Sequence, residues 1–210
     1  MKFLLLSTLS LLILGCNNTN LKEEKKSSKE STVSTHYSQK QLELKSIFEQ
    51  YLQQLQTLNT DKIIEMTYPR LFVPINKDLF KHYIETLLNS PQIKIISFDT
   101  NITKIGEVKN YSSGYFAQLS YISSITLNFI DPELYSDDLS LRVLNDVLSR
   151  KYGQKNIIVD RDKRTILIRK EEKMLAIKEK SKEWKFIGDN PAYRELYPKI
   201  IASDILSEIQ

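Results

Sequence analysis

Two histidines, His36 and His82, and one cysteine, Cys16, hold all the imidazole and thiol chemistry of this 210-residue chain. A zinc site needs three or four His, Cys or carboxylate ligands at short spacings, and neither histidine has such neighbours. Both read as surface residues. No phosphate-cradling loop can be built, because the five glycines are scattered, and there is no nucleophile elbow or dinucleotide fingerprint. Asp137-Asp138 stands where a helix would begin, and capping accounts for it. Asp160-Arg161-Asp162-Lys163-Arg164 reads as a turn; it is too short and wrongly spaced for a calcium loop. No metal and no cofactor is therefore expected. The remaining candidates are aromatic. Among 11 tyrosines and one tryptophan, Tyr51, Tyr83, Tyr121 and Trp184 fall on faces expected to point inward. They can line a pocket, with a hydroxyl or two aimed at a ligand, or fill the core.

A sheet has to position them. Thr165 to Gly188 reads as a hairpin: Ile166 and Ile168 alternate with Leu167 and Arg169, and Leu175 and Ile177 alternate with Met174 and Ala176. A polar bend of Lys, Glu and Ser follows, and Trp184 and Phe186 then share a face. The neighbouring strand is Ala117 to Phe129, whose alternate residues Ala117, Leu119, Tyr121, Ser123, Ile125, Leu127 and Phe129 make a half-buried face. Hydroxyl and apolar side chains, rather than acids, are expected on the inward faces of these strands. Shorter strands are expected at Ile93–Phe98, Ile102–Val108 and Ile157–Val159, with an edge strand at Leu71-Phe72-Val73.

Helices flank this sheet. Ser38 and Gln41 have capping-box spacing, and Leu44, Ile47, Phe48, Tyr51, Leu52, Leu55 and Leu58 then make one broad apolar face. A short helix with Ile63, Ile64 and Met66 ends at Pro69. Asn76 caps a third helix whose expected buried stripe is Leu79, Phe80, Tyr83, Ile84, Leu87 and Leu88. A helix capped by Ser136, over about 137–151, is inserted between strands, with Gly153 just beyond its end. A helical extension over about 191–208 begins at Asn190-Pro191, and Ile200, Ile201, Ile205, Leu206 and Ile209 give it a single amphipathic last helix. The fold class is α+β: a curved antiparallel sheet with N-terminal helices packed across it.

The N-terminus carries an address. Met1-Lys2 is followed by the almost wholly apolar run Phe3–Leu14, too short for a mature membrane span and flanked like an export signal. Its end, Ile13-Leu14-Gly15-Cys16, resembles the bacterial lipoprotein signal, although Leu14 is bulkier than usual at its place. The resemblance implies cleavage after residue 15, acylation of Cys16, and residence in the bacterial cell envelope outside the cytoplasmic membrane; Asn17 after the Cys gives no simple acidic retention signal, so the outer membrane is a plausible site, with inner and outer membrane both left open. The partner is then membrane lipid, held by several acyl chains, since a single chain anchors only marginally. Residues 16–37 are almost devoid of apolar side chains and read as a disordered tether, leaving 38–210 as one α+β domain. With no cysteine left for a disulfide, its core alone must hold that domain. The net charge is +4, and Lys and Glu are interspersed, so no basic face for nucleic acid is built.

Three helices followed by an antiparallel sheet, ending in the Leu175–Ile187 strand, polar turn and Trp-x-Phe strand, resemble the nuclear transport factor 2-like superfamily, a cone-shaped α+β fold. A cystatin-like domain with one main helix, or another α+β sandwich, are the alternatives. The resemblance implies either a non-enzymatic module gripping a small apolar ligand or an envelope protein, or an isomerase-, dehydratase- or hydrolase-like enzyme with an acid–base residue inside the cone. It also implies a possible homodimer through the sheet. Fold alone does not decide among these, and no acid–base pair is identified from the residues.

Overall fold

The computed structural model describes residues 37–131, 137–180, 182–207 and 209. Cys16, His36 and Ser136 lie outside them, as do the leader and all of the tether but Tyr37. The chain forms an α+β fold: a six-stranded antiparallel sheet flanked by N- and C-terminal helices and not closed into a barrel.

Helix α1 spans Gln39–Gln56 and starts where its capping box directs. The Ser38 hydroxyl accepts from the Gln41 N–H at 3.3 Å, and the Ser38 N–H donates to Gln41 Oε1 at 3.0 Å. The Gln41 amide also reaches the carbonyls of Ile105 and Gly106, tying the start of the helix to the sheet. Helix α2, Thr60–Met66, is capped by Asn59. The edge strand expected at Leu71-Phe72-Val73 is not formed; Pro69–Phe72 is instead a 3-10 turn. Proline supplies no N–H to a ladder and its fixed φ suits the first position of a helical turn. Helix α3, Lys77–Leu88, is capped by Asn76. Its expected stripe is only half realised: Ile84 is buried, but Leu79 is 68% exposed. The helix packs through Phe80 on Phe72 and through Lys81 on Asp61 of α2, at the margin of the molecule.

Strand β1, Ile93–Ile105, is one 13-residue strand where two were expected. The polar Asp99-Thr100-Asn101 segment does not break it, because unbroken pairing with its neighbour fixes the backbone there. Register shifts at Ile95/Ser97 and Ile102/Lys104 mark bulges, which absorb the irregularity and bend the strand. Strand β2, Lys109–Tyr111, turns tightly into β3, Gly114–Phe129. Gly114 has φ +144°, and an added Cβ would strike the Lys178 backbone, so only glycine fits this corner. Helix α4, Asp138–Tyr152, is inserted next. Its described cap is Asp137, whose carboxylate accepts from Ser140 N at 2.7 Å. Strands β4, Ile157–Asp160, and β5, Thr165–Glu179, follow, then β6, Lys185–Gly188.

The order is β1-β3-β5-β4, with β2 also on β3 and β6 also on β5. The expected partnership of β3 with the hairpin strand holds in unbroken register from Gly114↔Glu179 to Asn128↔Thr165. The chain ends in a 3-10 turn and two single helical turns, α5 (Tyr197–Ile200) and α6 (Ser203–Leu206), rather than one last helix. The break lies at Ile201-Ala202, whose backbone is extended.

The core has three parts. On the inner face of the sheet, α1 packs Leu44, Phe48 and Leu52 onto Leu119, Met174 and Ala176. Farther along that face, α4 packs Leu144 and Leu148 onto Ile125, Leu127, Ile166 and Ile168. On the outer face, Phe116, Leu175 and Ile177 are covered by Tyr197, Ile200, Ile201 and Ile205 of the C-terminal turns. Asp204 fastens these turns to the β2–β3 corner, accepting from Ser113 Oγ at 3.0 Å and Ser113 N at 3.2 Å.

Candidate functional site: a polar row on the inner face

Paired residues of neighbouring antiparallel strands project to the same face. The register therefore lays the inner face out in rows. Phe98, Ile125, Ile168 and Ile157 form one apolar row, and Leu119 and Met174 another. Between them come Thr100, Ser123 and Lys170, then Ile102, Tyr121 and Glu172. A band carrying an acid, a base and several hydroxyls thus crosses the sheet between two hydrophobic clusters.

This corrects the expectation that the inward strand faces carry no acids. Glu172 is 2% exposed. Its Oε1 lies 2.9 Å from Lys170 Nζ, and these two side chains are 1% and 10% exposed. Burial pushes the Glu172 carboxyl up to about 7, against the opposing pull of the Lys170 ammonium. Its Oε2 has no hydrogen-bond partner among the described residues. Such an oxygen in a native core carries a desolvation cost and calls for an explanation. Lys170 also lies 5.8 Å from the ring centroid of Tyr152, at the end of α4.

The anticipated aromatic residues divide. Tyr51 and Tyr121 are buried beside one another around Phe48, with Phe48–Tyr121 centroids at 5.7 Å and Phe48–Tyr51 centroids at 6.3 Å. Phe186 completes the group at 5.3 Å from Phe48 and 4.9 Å from Tyr51. Trp184 is buried in the same cluster. It lies beneath Lys178, whose Nζ is 5.9 Å from its ring, and Lys178 in turn pairs with Glu43 at 2.8 Å. The Glu43 carboxyl is held below its usual range, first by its hydrogen bond to Lys178 and further by Trp184. Tyr83 is apart from this group, half-buried on α3. Tyr121 links the aromatic cluster to the polar row, because it is the cross-strand partner of Glu172. Burial, and then the Glu172 charge and Tyr51, push its phenol well above the ordinary value. Burial likewise raises Tyr51, with the Thr67 hydroxyl opposing it.

Strand pairing along the edge of β5 away from β3 is interrupted at the level of this row. β4 pairs with β5 as far as Ile168, and β6 pairs from Met174, with Asp189 N–H donating to the Lys173 carbonyl. No described strand covers Arg169–Glu172 on that edge. The notch lies at the level of Lys170 and Glu172.

The other motifs are structural. His82 is exposed on α3. Asp160 closes its turn by accepting from Lys163 N at 3.0 Å, and Arg164 completes the turn with φ +53°. No cluster of His, Cys, Asp and Glu able to hold a metal occurs among the described residues, and none of their helices is long and apolar enough to cross a membrane.

The signal for Glu172 was present in the sequence. Ile166 and Ile168 lie in phase with Met174 and Ala176, so period two carried through Arg169-Lys170-Glu171-Glu172-Lys173 puts Lys170 and Glu172 inward. Comparison of the chain with protein-family models, with curated proteins and with solved structures found no match in any of the three.

Proposed function

We propose that this protein is a lipid-anchored module of the bacterial envelope that holds a small molecule against the inner face of its sheet. The observation that carries the binding part is the buried Glu172 carboxyl, paired to Lys170 on one oxygen and unpartnered on the other, between two apolar clusters. A purely structural ion pair would be better satisfied, since a buried charge with an unmet hydrogen-bond site is costly. Support for the anchor is the Phe3–Cys16 segment. The helix-then-sheet order is what the resemblance to the nuclear transport factor 2-like superfamily leads one to expect.

The second reading is an enzyme that transfers a proton. It is favoured by one observation: a buried carboxyl titrating near 7 is poised as a general acid or base. In that case Glu172 would exchange the proton, and Tyr121 and Lys170 would stabilise charge developing beside it.

The test is to purify wild-type protein and Glu172→Gln from the native host, extract each, and compare the released small molecules by mass spectrometry. A compound present in stoichiometric amount with wild type and depleted in Glu172→Gln is the expected result. Equal recovery from both, or none from wild type, would remove the support for an inner-face ligand. A compound converted on incubation with wild-type protein but left unchanged by Glu172→Gln would select the enzymatic reading.

A further inference from the structure

We infer that helix α4 is an interface with a second copy of this chain, the two helices packing antiparallel about a two-fold axis at Val143. The inference goes beyond the inner-face reading and does not rest on it. One side of α4 belongs to the core, where Leu144 and Leu148 are buried against the sheet. Another side faces solvent and carries a second apolar line. Leu139, Val143 and Val147 are 72%, 42% and 37% exposed. Their i, i+4, i+8 spacing sets them one above another on the helix, about 12 Å from end to end. Single exposed apolar residues are ordinary on a protein surface, but a contiguous line of them marks a contact.

The charges beside this line name the occupant. Arg142 and Asp146 are exposed on its flank and Arg150 at its end, and none of the three has an ion-pair partner among the described residues. A two-fold pair sets residue i against residue j and j against i. With the axis at Val143, that residue meets its own copy, and Leu139 meets Val147 of the second copy, twice. Arg142 then lies within about 3 Å, measured along the helix, of the level of the second copy's Asp146. The helix axes are about 8–10 Å apart, a gap that an arginine and an aspartate span together. Arg150 arrives at the first turn of the other helix, where the exposed Asp137 stands. The surface is therefore complementary to itself, apolar to apolar and base to acid. Its mixed charges suit neither an anionic lipid surface nor nucleic acid, which call for a field of one sign.

Three apolar layers make a small contact of the weak, transient class, and the test is set accordingly. Purified full-length protein is followed by sedimentation equilibrium in density-matched detergent, up to about 500 μM. Wild type is expected to pass from monomer to dimer in this range. Val143→Glu and Val143→Lys each set two like charges against one another on the axis, and each should weaken dimerisation about tenfold or more. An equimolar mixture of the two variants should pair again, because Glu then meets Lys, and should associate about tenfold more tightly than either alone. That recovery requires both variants to be folded, and a merely structural role for Val143 does not produce it. Asp146→Arg, at an exposed position on the flank, should also weaken the pair, about threefold or more. Wild type that stays monomeric throughout, or a mixture no tighter than its components, would overturn the inference. So would a dimer that survives both charge substitutions, which would move the contact to another face. A different protein recovered in stoichiometric amount with wild type and lost from both Val143 variants would also overturn it, by making the occupant a foreign partner.

Discussion

Glu172 should make stability depend on pH in a direction opposite to that of a normal salt-bridged carboxylate. The perturbation is Glu172→Gln, which keeps the shape and removes the titration. Burial raises the carboxyl from 4.5 to about 7 in the folded protein. The folded state thus holds its proton more tightly than the unfolded chain does. The contribution of that proton to stability is fully present below about pH 4.5 and is lost as the pH rises through about 7. A tenfold difference in proton affinity between the folded and unfolded states corresponds to about 1.4 kcal/mol. The stability of wild type relative to Glu172→Gln should therefore fall by about 3 kcal/mol between about pH 4 and about pH 8. Urea unfolding followed by Trp184 fluorescence, across this pH range for each protein, gives the difference directly. A pH-independent difference, or one that grows in favour of wild type as pH rises, would refute the assignment of Glu172 as a buried carboxyl.

Other consequences are local. Phe186 is fully buried against Phe48 and Tyr51; Phe186→Ala should cost about 3–5 kcal/mol in chemical denaturation. Gly114→Ala should destabilise the β2–β3 corner by about 1–3 kcal/mol, through a positive φ and a collision with the Lys178 backbone, and should lower Tm measurably. Cys16→Ser should release the protein from the membrane fraction to the soluble fraction and abolish incorporation of labelled fatty acid, if the Cys16 anchor is as proposed.

Strong periodicity made most of the fold legible. The α1 stripe and its capping box, the alternation of β3, and the hairpin phase of β5 all agree with the packing. Expectations failed where local pattern competes with tertiary context. Asp99-Thr100-Asn101 looks like a break, but pairing with β3 carries β1 through it. The stripe of α3 looks like a core face, yet the helix lies at the margin and leaves Leu79 in solvent. For the site, the types of Tyr51, Tyr121 and Trp184 predicted burial, whereas Tyr83 shares their chemistry without sharing their place. Glu172 was hidden by its neighbours. In a run of five charged residues, residue type argues for solvent on every side, and only the phase of the flanking isoleucines and methionine reveals two that turn inward.

The most direct test of the central claim is an experimental electron-density map of the protein purified from its native host, inspected around Glu172, Lys170 and Tyr121. The account predicts density for a small molecule within hydrogen-bond reach of Glu172 Oε2. A map in which side chains from α1 and α4 close over Glu172 and supply a proton donor to Oε2 would contradict it, leaving the pair as part of the core.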